Sequence, residues 1–268
     1  MRIQACCRPN QRLVTLYPIY IPSAQGARAQ EGAVDSRPFM QLGPGLVEGR
    51  FLTRLNRFAA LVEVDGEQVM VHVANSGRMH ELFVPGYRVL LKPQPGEHRK
   101  TKFNLALVDL GFSMCSADSR LPNALMAEAL ELGRLPQFVD YPHVRREVTF
   151  GESRLDLMLD GPAGKWYVET KSVTLVVNGV GLFPDSPTIR GAKHMRSLEQ
   201  AVAVGHRAAA VFVIQREDAR AFAPHETADP EFCQAFRHAL SVGVEAFAYN
   251  CRVSEDSIEL ANLLPFEM

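Results

Sequence analysis

Apolar and polar positions alternate in short runs through the first half of the chain, up to about residue 110. This period of two is typical of strands with one buried face. Asp65-Gly66 separates the second run from the third and is typical of a two-residue type I′ hairpin. The runs predict five strands, at Leu46–Leu52, Arg57–Val64, Glu67–Val73, Tyr87–Lys92 and Phe103–Leu110.

Five short strands separated by Gly and Pro predict a small β-barrel of the OB type over residues 43–112. A barrel of the SH3 type fits the same pattern nearly as well. Residues 1–42 have no consistent period, and we expect them to be a disordered extension or translated sequence before a start at Met40. The apolar stretch Leu13–Ile21 is short and is interrupted by Pro18, so we do not expect a secretion signal.

Predicted strands alternate with predicted helices in the second half, residues 113–268. Apolar spacing predicts a helix at Leu121–Leu132. Ser186 as N-cap, with Pro187 at the first helical position, predicts a second helix that ends at Gly205. A buried strand, a third helix and another strand follow at Arg207–Ile214, Asp229–Gly243 and Val244–Tyr249. This order predicts a parallel crossover, so the chain as a whole is predicted to be mixed α/β, with the barrel first.

One predicted hairpin carries the candidate chemistry. Its strands are Ser153–Leu159 and Trp166–Ser172, and a loop centred between residues 162 and 163 makes the numbers of facing residues sum to 325. Asp156 then faces Glu169, and Lys171 lies two residues along on the same face. The opposite face is predicted to pack in the core through Leu155, Leu157, Leu159, Trp166 and Val168.

Two facing carboxylates repel each other unless a cation lies between them, since facing Cβ atoms are only about 4.5–5.5 Å apart. We therefore predict that Asp156 and Glu169 bind Mg²⁺ or Mn²⁺, which would polarise a phosphate and activate water. Lys171 would orient that water or stabilise the developing negative charge. A surface face of salt-bridged residues explains the same spacing, and the triplet Glu169-x-Lys171 alone is common by chance.

Glu128 interrupts the apolar stripe of the first predicted helix, which otherwise contains Leu121, Leu125 and Leu132. A carboxylate at such a place is costly to bury without a partner. It is predicted either to lie at the edge of the stripe in solvent or to point towards the hairpin as a third acid of the site.

The arrangement of Glu128, Asp156 and Glu169-x-Lys171 resembles the PD-(D/E)xK nuclease superfamily. Longer motifs are similar to one family, that of sugar fermentation stimulation protein A, over residues 43–265. These motifs are Asn75-Ser-Gly-Arg-Met79, Leu121-Pro-Asn123, Val168-Glu-Thr-Lys-Ser-Val-Thr-Leu-Val176, Leu182-Phe-Pro-Asp185 and Arg190-Gly-Ala-Lys-His194. Ala74 and Thr170 depart from the family pattern, in which Pro and Val are usual there, and neither is an acid of the site.

The resemblance implies an OB-like domain joined to a nuclease-like α/β domain, with non-specific DNA binding and a regulatory link to the use of maltose and other sugars. By position it makes Asp156 and Glu169 metal ligands, Lys171 the catalytic lysine and Glu128 the auxiliary acid. It also places Lys193 and His194 on the helix after the hairpin, where the superfamily often has an accessory polar residue. Alternatively, these two side chains face solvent or contact phosphate.

Charge is distributed unevenly, although the net charge is only −1. Residues 44–105 hold nine Lys/Arg and six Asp/Glu, whereas residues 218–268 hold three and nine. A basic first half allows DNA to bind through one face, and ordinary solvated surfaces explain the same numbers. The side chains predicted to contact nucleic acid are Arg50, Arg54, Arg57, Arg78, Lys193 and His194.

Five scattered cysteines, without a C-x-x-C pair, favour a reducing compartment, and we expect a cytoplasmic protein. Two functions stay open. The first is a Mg²⁺-dependent phosphodiesterase acting on DNA or RNA, which the acids and Lys171 favour. The second is a non-cleaving DNA-binding regulator of sugar metabolism genes, which the described behaviour of the family favours. A sugar enzyme has no support, because no Gly-rich loop of the kind that binds phosphate is present.

Overall fold

The computed structural model describes residues 40–96 and 99–267. The strands of the first half are β1 (Met40–Gln41), β2 (Val47–Asn56), β3 (Ala59–Val64), β4 (Glu67–His72), β5 (Arg88–Pro93), β6 (Phe103–Asp109) and β7 (Met114–Ser116). The second half contains α1 (Leu121–Glu131), a 3-10 helix (Pro136–Phe138), β8 (His143–Phe150), β9 (Ser153–Gly161), β10 (Gly164–Val173), β11 (Val176–Val177), β12 (Val180–Phe183), α2 (Ile189–Ala203), β13 (Arg207–Ile214), β14 (Ala221–Pro224), α3 (Pro230–Ser241), β15 (Glu245–Val253) and β16 (Ser257–Leu263).

Strands β2 to β7 form the barrel. Their order is β4-β3-β2-β5-β6-β7, and a parallel contact of His72 with Asn104 joins β4 to β6 and closes the barrel. Each of the five predicted barrel strands is present, and the predicted OB-like barrel followed by an α/β domain is confirmed. Asp65 and Gly66 both have positive φ, as a type I′ turn requires. Strand β7 adds a sixth strand to the barrel after residue 112, where the sequence predicts the domain boundary. The position of that boundary stays a prediction.

A seven-stranded sheet organises the second half, in the order β1-β16-β15-β13-β10-β9-β8. Its centre is parallel, because β10, β13 and β15 run in one direction. Helix α1 packs with the core on one face of the sheet, and α2 and α3 pack with the core on the other. The sheet therefore presents the carboxyl end of β10 between α1 and α2, which is the usual position of a site in such sheets.

The second helix begins two residues later than predicted. Thr188, rather than Ser186, is the N-cap of α2, and its hydroxyl accepts a hydrogen bond from the Gly191 amide at 3.0 Å. The predicted N-cap was wrong because Ser and Thr are both good N-caps. Only the fold decides which of the two lies at the helix end. Asp229 caps α3 as predicted, accepting from the Phe232 amide at 3.0 Å.

The predicted disordered extension, residues 1–42, is wrong for its last three residues. Met40 and Gln41 pair with Ile258 and Ser257 at the edge of the large sheet. Leu42 is buried in the core beside α1, and its amide donates to the carbonyl of Asp256 at 2.8 Å. Residues 1–39, which precede the predicted start at Met40, lie outside the described residues.

The register predicted for the β9–β10 hairpin is present. Trp166 faces Leu159 and Val168 faces Leu157, so that each pair sums to 325. These four side chains are buried together on the α1 side of the sheet. Leu155 is a correction, because it packs in the other core, with residues of α2 and α3. The pairing of β9 with β10 ends at Leu157–Val168, so the predicted facing pair of Asp156 and Glu169 is not formed as a pair of the strand ladder. The side chains of β9 also stop alternating there, because Leu155 and Leu157 lie in different cores.

Candidate metal and nucleic-acid site

A cavity of about 580 Å³ lies where the barrel meets the α/β domain. We call it the site cavity. Its floor is formed by Asp156 of β9 and by Glu169, Thr170 and Lys171 of β10. The remaining walls come from the barrel loop 75–77, the start of α1, strand β8 and the loop 183–190 that leads into α2. Residues from six separate parts of the sequence therefore meet in one place.

Glu169 is the most deeply buried acid of the site cavity, with 3% of its surface exposed. One carboxylate oxygen, Oε1, accepts from the Lys171 ammonium at 2.7 Å and contacts Nδ1 of His194. The other oxygen, Oε2, is buried and has no hydrogen-bond partner among the described residues. A buried carboxylate oxygen without a donor is costly, so this atom is suited to a cation.

Opposing effects set the ionisation of Glu169. Burial would raise the pKa of this carboxyl, but the positive charge of Lys171 and the hydrogen bond from His194 outweigh burial and lower the pKa below its ordinary value. Glu169 is therefore an anion at neutral pH. This is the state that a metal ligand needs.

Asp156 is half-buried and is held by three donors. Its Oδ2 accepts from the amide and the hydroxyl of Thr170, at 2.8 and 2.6 Å, and its Oδ1 accepts from the Asn123 amide nitrogen at 3.0 Å. The Asp156 carboxylate thus accepts a hydrogen bond from the backbone amide of Thr170, beyond the end of the β9–β10 pairing. An ionised carboxyl offers about four acceptor positions, so one position on Asp156 is left for another partner.

The histidine predicted to contact nucleic acid is instead buried against Glu169. His194 is buried between Glu169 and Arg190, whose Nε donates to its Nε2 at 3.2 Å. Since Nε2 accepts, the ring proton is assigned to Nδ1, which donates to Glu169. Lys193 points away from the site cavity, and its ammonium donates to the Glu152 carbonyl at 3.2 Å. Consecutive residues of a helix point in different directions, which separates this predicted pair.

Glu128, the predicted third acid, does not reach the site cavity. It lies on the part of α1 that faces the opposite edge of the sheet, near Met40, Arg134 and Glu259. Burial raises its pKa, and Arg134 and the Met40 amide partly counteract that rise. The prediction fails because Glu128 lies one and a half turns along α1 from Asn123, the α1 residue that contacts Asp156.

Sequence reasoning missed several polar residues of the site cavity. Arg146 of β8 donates through Nε to the side-chain oxygen Oδ1 of Asn123 at 3.1 Å, and Arg190 donates to His194. Their terminal guanidinium nitrogens have no partner among the described residues. Asn123 and Arg190 are within motifs that carry the family resemblance, which was the available signal. Arg146 is in no such motif, because only the three-dimensional fold brings β8 to the site.

The arginines predicted on the barrel have different environments. Arg54 donates five hydrogen bonds to the backbone carbonyls of residues 56, 57, 75, 77 and 78, so it is a structural residue and the prediction of a phosphate contact is wrong for it. Burial lowers its pKa. Arg50 is exposed and donates only weakly, to the Gly86 carbonyl at 3.5 Å. Arg57 and Arg78 are exposed and line a second cavity on the barrel.

The site cavity does not contain a preformed cluster of metal ligands. Within residues 40–96 and 99–267, no three His, Cys, Asp or Glu side chains are arranged to hold a metal ion. Mg²⁺ is commonly bound by one or two carboxylates together with waters and substrate phosphates. The free Oε2 of Glu169 and the remaining acceptor position of Asp156 are of the right kind for that mode of binding.

Comparison with known proteins identifies the family. A family model described as the sugar fermentation stimulation protein RE domain matches residues 120–257, and one described as the SfsA N-terminal OB domain matches residues 52–116. A sugar fermentation stimulation protein homolog of Desulforamulus reducens is 44% identical over 84% of this chain and 94% of its own length. The chain belongs to the sugar fermentation stimulation protein family. A homolog from Moorella thermoacetica is also 44% identical, over 82% of this chain and 96% of its own length.

A solved structure supports the same assignment. SfsA of Pyrococcus furiosus, solved in complex with Ca²⁺, is 29% identical and matches with a TM-score of 0.80. The match covers 87% of this chain and 100% of the other. Both the barrel and the α/β domain of this family member are therefore built as in that relative. No helix among the described residues has the length and apolarity that crossing a membrane requires.

Proposed function

We propose that this protein binds DNA and cleaves its phosphodiester bonds in the site cavity, with a divalent metal ion, Mg²⁺ or Mn²⁺, as cofactor. The observation that carries the proposal is the buried Oε2 of Glu169, which has no donor among the described residues although its neighbour Oε1 has two. Asp156 supplies a second carboxylate to the same cavity. The Ca²⁺ named for the Pyrococcus furiosus relative supports a divalent ion in this family.

Each side chain has a part in the proposed reaction. When bound by Asp156 and Glu169, Mg²⁺ supplies positive charge that polarises a phosphate group. The Lys171 ammonium holds Glu169 and keeps a further N–H for the phosphoryl oxygen on which negative charge develops. The free guanidinium ends of Arg146 and Arg190 orient the phosphates on either side of the scissile bond, since guanidinium groups bind phosphate in bidentate fashion.

A cleavage assay tests this proposal. The protein is incubated with plasmid, single-stranded DNA and RNA, each with Mg²⁺, Mn²⁺ or EDTA. We expect cleavage of DNA in either metal and none in EDTA. Glu169→Gln should remove cleavage, because a neutral amide does not replace the carboxylate as a ligand. Glu128→Gln is the matched control and should cleave normally, since Glu128 lies outside the site cavity. Equal activity of both variants would contradict the proposal.

A second function, a DNA-binding regulator that does not cleave, is favoured by one observation. Three of the acceptor positions of Asp156 are already occupied by protein donors. If this arrangement persists when DNA is bound, Asp156 contributes little to holding a metal ion. Such a protein would bind DNA in every buffer of the assay and cleave it in none. The wild-type lanes alone therefore separate the two functions.

The remaining parts of the proposal concern location and partner. We place the protein in the cytoplasm, where cellular DNA is accessible and where the free cysteines of the described residues stay reduced. Cys115, Cys233 and Cys251 are free thiols buried in the fold. A reducing compartment keeps thiols in this state. Fractionation of cells with an antibody to the protein would test the location, and recovery with the membrane or outside the cell would contradict it.

A further inference from the structure

A second cavity of about 580 Å³ opens on the barrel, beside the site cavity. We call it the barrel cavity. Its lining includes the exposed side chains of Arg57, Arg78 and His80, together with Phe83. The complete lining contains no Asp or Glu. The site cavity, in contrast, contains four carboxylates, so the two cavities differ in the ligand groups that they attract.

The two cavities share a wall. Ser76 and Gly77 of the barrel, with Ser186 and Pro187 of the α/β domain, line both of them. A Cβ atom at Gly77 would lie only 2.6 Å from Oδ2 of Asp185, so glycine permits the two loops to approach this closely. A chain that leaves the site cavity across this wall enters the barrel cavity directly.

The barrel cavity is held in a fixed form. Arg54 ties together the two barrel loops that line it, through its hydrogen bonds to the carbonyls of Asn56, Gly77 and Arg78 among others. The Asp185 carboxylate accepts from the Met79 amide at 3.2 Å and so joins these loops to the α/β domain. A site with fixed loops binds a ligand without first having to order them.

We propose that the barrel cavity binds the unpaired continuation of the DNA strand whose phosphodiester lies in the site cavity, so that the substrate is single-stranded at this point. The inference rests on the proposed function and adds the substrate class. Arg57 and Arg78 have side chains with no partner among the described residues, and they contact the phosphates. Phe58 follows the lining residue Arg57 in the chain and, although it is not itself part of the lining, its ring is 50% exposed and offers a face on which a base stacks at the edge of the cavity.

The strand must be unpaired for two reasons. The first reason is size. Each of the two cavities has the volume of a small-molecule site, whereas a duplex needs an open surface or a groove as wide as itself. Stacking on a Phe ring also requires a base whose face is free. The bases inside a duplex are stacked on each other and have no free face. Positive charge, a free aromatic ring and no carboxylate are the features that sequence-independent binding of single strands requires.

Fluorescence anisotropy tests the proposal, with a labelled 12-nucleotide single strand and the matching duplex, both in Ca²⁺ or EDTA. We expect the single strand to bind more tightly. Arg57→Ser with Arg78→Ser should lower the log–log salt slope for the single strand by about 1.4, which is two contacts at about 0.7 each. Lys165→Ser with Arg252→Ser removes the same charge elsewhere and should leave the slope unchanged.

Stacking is tested separately. Phe58→Ala should weaken single-strand binding about tenfold, within the range found for one stacked base. Phe112→Ala, which removes a still more exposed ring (71%) on the loop after β6, outside the barrel cavity, should have no effect. Equal binding of duplex and single strand, or equal losses in the test and control variants, would overturn the inference. If these variants behave as expected but no DNA is cleaved, the proposed cleavage fails while the single-strand site stands.

Discussion

At the scale of residues, the two oxygens of Glu169 have opposite environments. Oε1 is held by Lys171 and His194, whereas Oε2 has no donor among the described residues. Strand alternation and hairpin symmetry are local properties, and from them the sequence selected Asp156, Glu169 and Lys171, which all line the site cavity. Their roles stay predictions. The sequence could not predict that His194 is buried against Glu169 or that Glu128 lies elsewhere, since the packing of α1 and α2 on the sheet decides both.

The role of His194 gives the residue-scale prediction. An Asn at this position has its amide nitrogen where Nδ1 of His lies along the side chain, and a Gln has its amide nitrogen further out, near Nε2. His194→Asn should therefore keep the hydrogen bond to Glu169 and bind Mn²⁺ with nearly wild-type affinity. His194→Gln should bind it more weakly. Titration calorimetry measures both, and equal affinities would show that His194 only fills space.

At the scale of elements, α2 is fixed by its N-cap. The Thr188 hydroxyl accepts from the Gly191 amide, and Thr188 also donates its own amide to Asp229, the N-cap of α3. The sequence predicted both helices and the cap of α3, because Asp229-Pro230 is one unambiguous signal. It misplaced the cap of α2, because Ser186 and Thr188 each satisfy the local preference and Ser186 is used in the cavity wall instead.

Removal of the true cap should destabilise the protein more than removal of the apparent one. Thr188→Ala is expected to lower the free energy of unfolding by about 1 kcal/mol, the usual cost of losing a Ser or Thr cap. Ser186→Ala should change it by less than about half of that, as is common for residues away from such features. Urea unfolding of the two variants measures the difference. A larger loss in Ser186→Ala would contradict the assignment of the cap.

At the scale of the whole molecule, the barrel and the α/β domain complete each other. The barrel loop 75–77 forms a wall of the site cavity, and Asp185 in the loop before α2 accepts from the Met79 amide of the barrel. The motifs that include Met79 and Asp185 are over 100 residues apart in sequence, so no local pattern could predict that they meet. The order of barrel and α/β domain was predictable, because each has its own hydrophobic period.

The edge strand β1 allows a prediction for the molecule as a whole. A chain that begins at Gly43 lacks the β1–β16 pairing and the buried Leu42 of a chain that begins at Met40. Burial of a Leu side chain contributes about 1.5–3 kcal/mol, so the shorter chain should be less stable by at least about that amount. Thermal unfolding of the two chains measures this difference. Identical midpoints would mean that β1 contributes nothing to the fold.

The most direct measurement of the central claim combines binding and cleavage in one variant, Asp156→Ala. Loss of this carboxylate removes a metal ligand and also removes negative charge near the phosphate. We predict that the variant binds DNA as tightly as wild type, or more tightly, and has lost its Mg²⁺-dependent cleavage. The two activities are read from the same samples by anisotropy and gel electrophoresis. Cleavage by the variant at the wild-type rate would contradict the assignment of the site.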